Sequence, residues 1–189
     1  DLKRAAELLT QEAQPNGAVS AYFTPSAVNA LYARVYLYMQ NWEKAVESAT
    51  ETIEDPALEL ASVNLGATSS QSLYQYMWTN DISSEVIWRV KFSPSSYGGA
   101  LGGVFLNYDY TTFTPDYVPA SWALNLYEAN DRRYGIFFST QTTGYAHRLT
   151  WPLLVKYLGN EQFILNRILH VNMPKVLRLS EQYLIRAEA

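Results

Sequence analysis

The chain has 189 residues, 17% of them charged and 14% aromatic, with 15 Tyr, 7 Phe and 5 Trp. Soluble domains average about 25% charge, so the feature to explain is a shortage of charge beside an excess of rings. Hydrophobic residues at 48% exclude disorder for the bulk of the chain. A balance of 14 basic against 18 acidic residues, with no Lys/Arg cluster and no cysteine, argues against nucleic acid, anionic membranes, disulfides, thiolate chemistry and cysteine-held metals.

Asp1 caps a short helix whose Leu2, Ala5, Ala6 and Leu9 fall at helical spacing, and Pro15-Asn16-Gly17 ends it. Thr24-Pro25 puts an N-cap side chain before a proline at the first helical position, and Val28, Leu31, Val35 and Met39 continue one face. After a turn at Gln40-Asn41, Trp42, Ala45, Val46, Ala49 and Ile53 form the next stripe, with Glu43, Lys44, Glu47 and Glu51 opposite. Residues 1–55 therefore read as tetratricopeptide-like helices, in which Ala30, Ala33, Ala45 and Ala49 let an antiparallel pair approach closely. The longest apolar run, Ala30 to Met39, is broken by Arg34 and is far shorter than the ~20 residues of a membrane span.

From Pro56 to about Thr150 the composition shifts to Gly, Ser, Thr, Asn, Tyr and Trp, with helical periodicity only over 70–80 and 120–130. Between them 85–92 alternates, which predicts a strand with Val86, Trp88, Val90 and Phe92 on one face and Arg89 and Lys91 on the other. The following stretch to Gly102-Gly103 is too glycine-rich for regular structure. At the end, 178–189 returns to helix, with Leu179, Tyr183, Leu184 and Ala187 along its apolar face. The fold class is mainly α: an α/α superhelix of helix pairs, long irregular loops and a short strand near 85–92. We expect one domain over 1–189, with a loop-rich region at 56–176 and the start of a further helix at 177–189. The chain starts without Met and stops in a helical pattern, so it is expected to be an internal fragment.

Several separated segments carry a resemblance. They are Ala27-Val28-Asn29-Ala30-Leu31-Tyr32-Ala33-Arg34-Val35-Tyr36-Leu37-Tyr38 with Asn41-Trp42-Glu43-Lys44-Ala45, then Ser84-Glu85-Val86-Ile87-Trp88, then Leu126-Tyr127-Glu128-Ala129-Asn130-Asp131-Arg132-Arg133, and the closing 178–189. In this order they resemble the SusD/RagB family of outer-membrane glycan-binding lipoproteins. The resemblance implies a tetratricopeptide-like superhelix whose irregular excursions form a sugar-binding surface. It also implies a SusC-like TonB-dependent transporter as partner, a surface-exposed outer-membrane location for the parent protein, and a lipid anchor on a cysteine outside this sequence. Sugar contacts are poorly tied to motifs in this family, so none transfers position by position.

The residues make their own case for carbohydrate. A sugar ring offers apolar C–H faces and equatorial hydroxyls, so a binder needs flat rings beside amide, carboxylate or guanidinium groups. The stretch from Tyr97 to Trp151 interleaves both kinds in loop-like sequence, Phe105, Phe113, Asp116 and Gln141 included. The candidate glycan-binding residues are Tyr97, Asn107, Tyr108, Asp109, Tyr110, Tyr117, Tyr145, Arg148 and Trp151, and in Asn107-Tyr108-Asp109-Tyr110 an extended backbone would put the two tyrosines on one side. The low charge suits a neutral oligosaccharide or polysaccharide. Against this stands the plainer reading that loop aromatics pack under the loop. Trp42, Trp88 and Trp122 are assigned to core, Trp78 to either role, and Tyr145 and Trp151, near Gly144 and Pro152, to ligand.

No catalytic residue, cofactor or metal is expected. Glycoside hydrolysis requires two carboxylates about 5 Å or about 6.5–9.5 Å apart, and Asp109, Asp116, Glu128 and Asp131 offer pairs only by abundance. Glu128 to Arg133 reads better as a helix end, with Asn130 as a left-handed C-cap and Asp131 paired to an arginine. His147 and His170 lack companions at ligand spacing. The alternative function is a non-catalytic protein-interaction scaffold of the tetratricopeptide type.

Overall fold

The computed structural model describes residues 1–9, 19–66 and 69–189; the expected helix stop at Pro15-Asn16-Gly17 lies outside them. The chain divides into two compact units, one of residues 1–61, 82–91 and 174–189 and the other of 62–81 and 92–173. As expected, the structure is mainly helical with a little antiparallel sheet.

The first unit holds α1 (Leu2–Leu9), α2 (Pro25–Tyr38), α3 (Trp42–Ile53), β1 (Val86–Arg89) and, at the chain's end, a strand and a helix introduced below as β4 and α9. Helix α2 begins as predicted: the Thr24 side chain accepts the Ala27 amide and Pro25 fills the first turn. Asn41 caps α3 in the same way through the Lys44 amide, and Gln40, at φ 57°, makes the left-handed turn between the helices. The buried faces differ from the expected stripes. Ala27, Val28, Ala30 and Ala33 of α2 are buried, as are Ala45, Ser48, Ala49 and Thr52 of α3, whereas Met39 is exposed. Small side chains own the interface because close helix approach leaves room for little else. Trp42, assigned to core, is 44% exposed: it opens α3 at the solvent end of the turn.

Strand β1 pairs antiparallel with β4 (Lys175–Arg178), in a register of Val86 with Arg178, Trp88 with Leu177 and Arg89 with Lys175, broken by shifts around Trp88. Those shifts cancel the predicted alternation. Arg89 is buried and donates to the Ser20 hydroxyl at 3.1 Å, whereas Val90 is exposed. Ile87 and Leu177 join Ala27 and Ala30 in one core cluster, against which Phe23 and Trp88 pack edge to face at 5.3 Å. Helix α9 (Leu179–Glu188) buries Leu179, Gln182 and Ile185 rather than Tyr183 and Leu184, and Ile185 closes a second cluster with Ala33, Ala45 and Ala49. Two ionic clamps fix this unit. Arg34 forks onto Glu181 through two bonds of 2.6 Å and donates to the Val176 carbonyl at 2.8 Å. Buried Glu85 accepts from the Ala61 amide, Arg178 and Ser180 at 3.0, 3.1 and 2.9 Å.

The second unit contains α4 (Leu73–Asn80), α5 (Gly102–Leu106), α6 (Ser121–Leu124), α7 (Arg132–Phe137), β2 (Ser139–Thr142), β3 (Thr150–Leu153) and α8 (Glu161–Leu165). The glycine-rich stretch, expected to be irregular, ends in a helix. Gly102 opens α5 where an added Cβ would lie 1.8 Å from the Tyr157 carbonyl oxygen, so this position requires glycine for close approach. The helix expected over 120–130 is a single turn, and Trp122, assigned to core, is 70% exposed. Asn130 is not left-handed; Asp131 instead N-caps α7 through the Arg133 amide and pairs with the Arg133 guanidinium at 2.6 Å. Phe163, Val171 and Met173 form the core, with Phe92 and Ile168 around them. Buried Asp81, left-handed at φ 59°, accepts from the Asn160 side chain at 2.8 Å and the Met173 amide at 2.9 Å. Antiparallel β2 and β3, paired Ser139 with Leu153 through Thr142 with Thr150, carry the turn described next.

Candidate functional site

The site is built from two irregular segments of the second unit. The first follows α5. Asn107 ends that helix in the left-handed region at φ 38°, and its amide donates to the Thr114 hydroxyl at 2.9 Å. The Asp109 carboxylate then gathers the Thr111 hydroxyl at 2.6 Å and the Thr111 and Thr112 amides at 2.9 and 2.7 Å, closing an Asx turn. These donors, the Thr111 hydroxyl foremost, hold its pKa well below the ordinary carboxylate range. Asp109, though exposed, is thus engaged by its own loop.

Tyr110 sits at φ 72°. The Asn107–Tyr110 segment is therefore a turn and not the extended run expected, yet the Tyr108 and Tyr110 rings still lie 6.1 Å apart. Tyr108 also stacks on Phe113 at 4.4 Å, across an isolated bridge between the two residues. Tyr110, 50% exposed, is the open ring of this cluster.

His170 anchors the loop from below. The Tyr108 amide donates to its Nε2 at 2.9 Å. Burial pushes the imidazole pKa down, opposed by the Tyr108 carbonyl 3.1 Å from the same nitrogen. The neutral ring, with Nε2 as acceptor, fits this position.

The second segment is the turn between β2 and β3. The Gly144 amide donates to the Phe113 carbonyl at 2.9 Å, tying the turn to the first loop, and a Cβ at Gly144 would press on Thr112 at 3.1 Å. The Tyr145 hydroxyl donates to the Pro115 carbonyl at 2.6 Å, and its ring lies parallel to His147 at 5.6 Å. Arg148, at φ 45°, closes the turn by donating its amide to the Tyr145 carbonyl at 2.8 Å. Between the two segments opens a cleft of about 480 Å³, walled by Thr111, Thr112, Thr142, Thr143, Tyr145 and Arg148.

The structure thus puts Tyr145 and Arg148 on the cleft wall, Asp109 behind the wall threonines Thr111 and Thr112, and Tyr108 and Tyr110 in the neighbouring ring cluster, with Asn107 at its base. Trp151 is half-buried on β3, its indole donating to the Pro119 carbonyl at 2.7 Å, and Tyr117 is exposed in the irregular run between α5 and α6, its amide donating to the Val104 carbonyl at 3.1 Å. Tyr97 has another neighbourhood, edge to face with Phe163 at 5.9 Å. Sequence reasoning passed over the cleft's threonines and the anchoring role of His170. It also passed over a second cavity of about 380 Å³ between α4, α7 and α8, whose wall includes Gln71, Gln75, Trp78 and Lys156. There the Lys156 ammonium lies 4.2 Å from the Trp78 ring centre and 4.4 Å from that of Phe137. Among the described residues no group of three or more His, Cys, Asp or Glu could hold a metal ion, and no helix is long and apolar enough to cross a membrane.

No protein-family model and no curated protein matches the sequence. Solved structures do match. A SusD superfamily protein from Bacteroides thetaiotaomicron VPI-5482 superposes with a TM-score of 0.68 at 21% identity, over 99% of this chain and 40% of its own. A SusD-like carbohydrate binding protein from Bacteroides vulgatus ATCC 8482 gives 0.69 at 18% identity, over 99% and 37%. Surface glycan-binding protein A from Bacteroides uniformis gives 0.69 at 16%, over 99% and 42%. The chain therefore spans less than half the length of these neighbours. Its fold is that of the SusD-like proteins, as the resemblance implied.

Proposed function

We propose that this chain is part of a SusD-like glycan-binding protein. In this reading it captures oligosaccharides at the outer-membrane surface for uptake through a partner TonB-dependent transporter, without catalysis of its own. The observation that carries the reading is a cleft walled by Tyr145, Arg148 and threonines, with the Tyr108–Tyr110–Phe113 ring cluster tied beside it by the bond from the Gly144 amide to the Phe113 carbonyl. The exposed Tyr110 ring beside the cleft and Tyr145 on its wall serve the C–H faces of sugars, and hydroxyl and guanidinium groups serve their hydroxyls. The fold is the one found in the glycan-binding neighbours, which supports the same reading.

Affinity electrophoresis against a panel of soluble polysaccharides tests it: at least one glycan should retard the protein, and Tyr110→Ala should weaken that retardation. A ring contributes roughly 0.5–1.5 kcal/mol beyond its buried area, so a loss of up to about tenfold is expected. Retardation by no glycan would sink the proposal. A second reading, the tetratricopeptide-type interaction scaffold, is favoured by the exposed Tyr38, Met39 and Trp42 at the α2–α3 turn. It expects no glycan binding at all.

A further inference from the structure

The cleft has a property that an aromatic platform does not use. Arg148 is the one wall residue with a formal charge, and threonines dominate the rest. Several of their hydroxyls are committed elsewhere: Thr111 donates to Asp109 at 2.6 Å, and Thr142 shares a bond of 2.9 Å with Thr150. Thr143 is different. It is 2% exposed, lines the cleft, and its buried hydroxyl has no hydrogen-bond partner among the described residues. A buried hydroxyl left without a partner is costly, which makes such a group a marker of an absent ligand. Arg148 is different too. Its backbone is pinned by the bond from its amide to the Tyr145 carbonyl, its side chain is exposed, and among the described residues no carboxylate pairs with its guanidinium.

A pinned backbone and a free planar fork on the cleft wall, with an unsatisfied hydroxyl buried just behind it, suit a planar oxyanion. We infer that the cleft reads an acidic substituent on a glycan, a uronic-acid carboxylate bound by Arg148, with Thr143 as a second donor once its side chain turns the hydroxyl toward the cleft. This inference rests on the glycan-binding reading above and sharpens its ligand class. The remaining charges set a limit. Asp109 lies beside the cleft, the chain carries a net charge of −4, and Arg148 is the only cation on the wall. A dense polyanion is therefore repelled, whereas a mainly neutral chain with isolated acid groups is accepted. The low overall charge still fits the neutral backbone of such a glycan, and the acid group is where it departs from neutrality.

The test compares sugars that differ in one position. With the intact protein, binding of methyl β-glucuronide, methyl β-glucoside and methyl β-glucoside 6-sulfate is followed by ligand-detected NMR for wild type, Arg148→Gln, Arg148→Lys and Thr143→Val. The glucuronide should bind about tenfold tighter than the glucoside. Arg148→Gln should erase that preference, Arg148→Lys should keep only part of it because an ammonium lacks the fork, and Thr143→Val should reduce it. Thermal midpoints show which variants remain folded; Arg148 is exposed, so its variants carry the test if Thr143→Val does not fold. Equal affinities in wild type, binding of neither the glucuronide nor the glucoside, a preference that survives Arg148→Gln, or tighter binding of the sulfate each overturn the inference. The polysaccharide panel separates the two levels. Retardation that ignores acid groups removes this inference alone, and retardation by no glycan removes the underlying function with it.

Discussion

Asp109 and His170 shape the same short loop, one from its tip and one from its base, and they respond to acid in different ranges. Asp109 has a lowered folded-state pKa, so its contribution is present above the ordinary Asp value near 3.9 and fades only as pH falls through the lower folded value. His170 also has a lowered folded-state pKa, but for an imidazole this means that the unfolded chain takes up the proton first. The stability it lends is full above about pH 6.5 and declines below that, until the folded ring itself protonates. Hydrogen exchange of the Tyr108 amide, corrected for intrinsic rates, should therefore accelerate on going from pH 7.5 to 5.5. His170→Gln should flatten that dependence. An unchanged profile in the wild type would mean that the imidazole does not anchor the loop. The tyrosines divide along similar lines. Tyr110, open to solvent, should tolerate alanine with little change in thermal midpoint, whereas Tyr108, stacked on Phe113 and bonded through its amide, should lose stability as well as any ligand contact.

Among the elements, α5 shows how a glycine pair can be misread. Gly102-Gly103 looks like a break because glycine weakens helices by about 1 kcal/mol per residue. Here the missing side chain is needed so that α5 can pass the Tyr157 carbonyl. Gly102→Ala should cost about 2–3 kcal/mol through overpacking, measured as a lower urea midpoint, while Gly103→Ala, with open space around its Cβ position, should be neutral or stabilising. Helices α2 and α3 were legible because their start signals are local: Thr24, Pro25 and Asn41 act within a turn of themselves. Strand β4 was not, because its four residues acquire meaning only from β1, far away in the sequence. The exposed Trp42 and Trp122 were misassigned because helical spacing marks a face without saying whether anything covers it. At the site, loop tyrosines stood out by composition. The partners that give the cleft its chemistry, such as the Gly144–Phe113 and Tyr108–His170 contacts, are long-range and leave no trace in spacing.

At the scale of the whole molecule, binding and stability have separate addresses. The candidate site lies within the second unit, while a buried polar cluster of the first unit centres on Glu85. Glu85 is 2% exposed and holds Arg178, Ser180 and the Ala61 amide, so Glu85→Ala strands several donors. Breaking a buried ionic cluster by removing one partner costs about 3–5 kcal/mol. Arg178 keeps partial access to water, which reduces the expected loss to about 2–3 kcal/mol. Chemical denaturation should show that loss, and glycan affinity measured below the transition should stay unchanged. A coupled fall in affinity would show that the units do not work independently.

The β1–β4 pairing has a consequence for how such chains diversify. The Val90 amide reaches the Pro174 carbonyl at 3.0 Å, so the two ends of the long 92–173 stretch are fastened side by side in the first unit. Once the ends of an excursion are joined, lengthening it costs little, because closure entropy grows only with the logarithm of its length. A fastener of this kind turns the intervening stretch into an exchangeable cassette, free to gain, lose or swap segments while the helix pairs keep their alanine-lined seams. Position 91/174 is then a junction for grafting another excursion, provided that the graft also replaces the partners that 62–81 find in 92–173, such as Asn160 and the Met173 amide for Asp81.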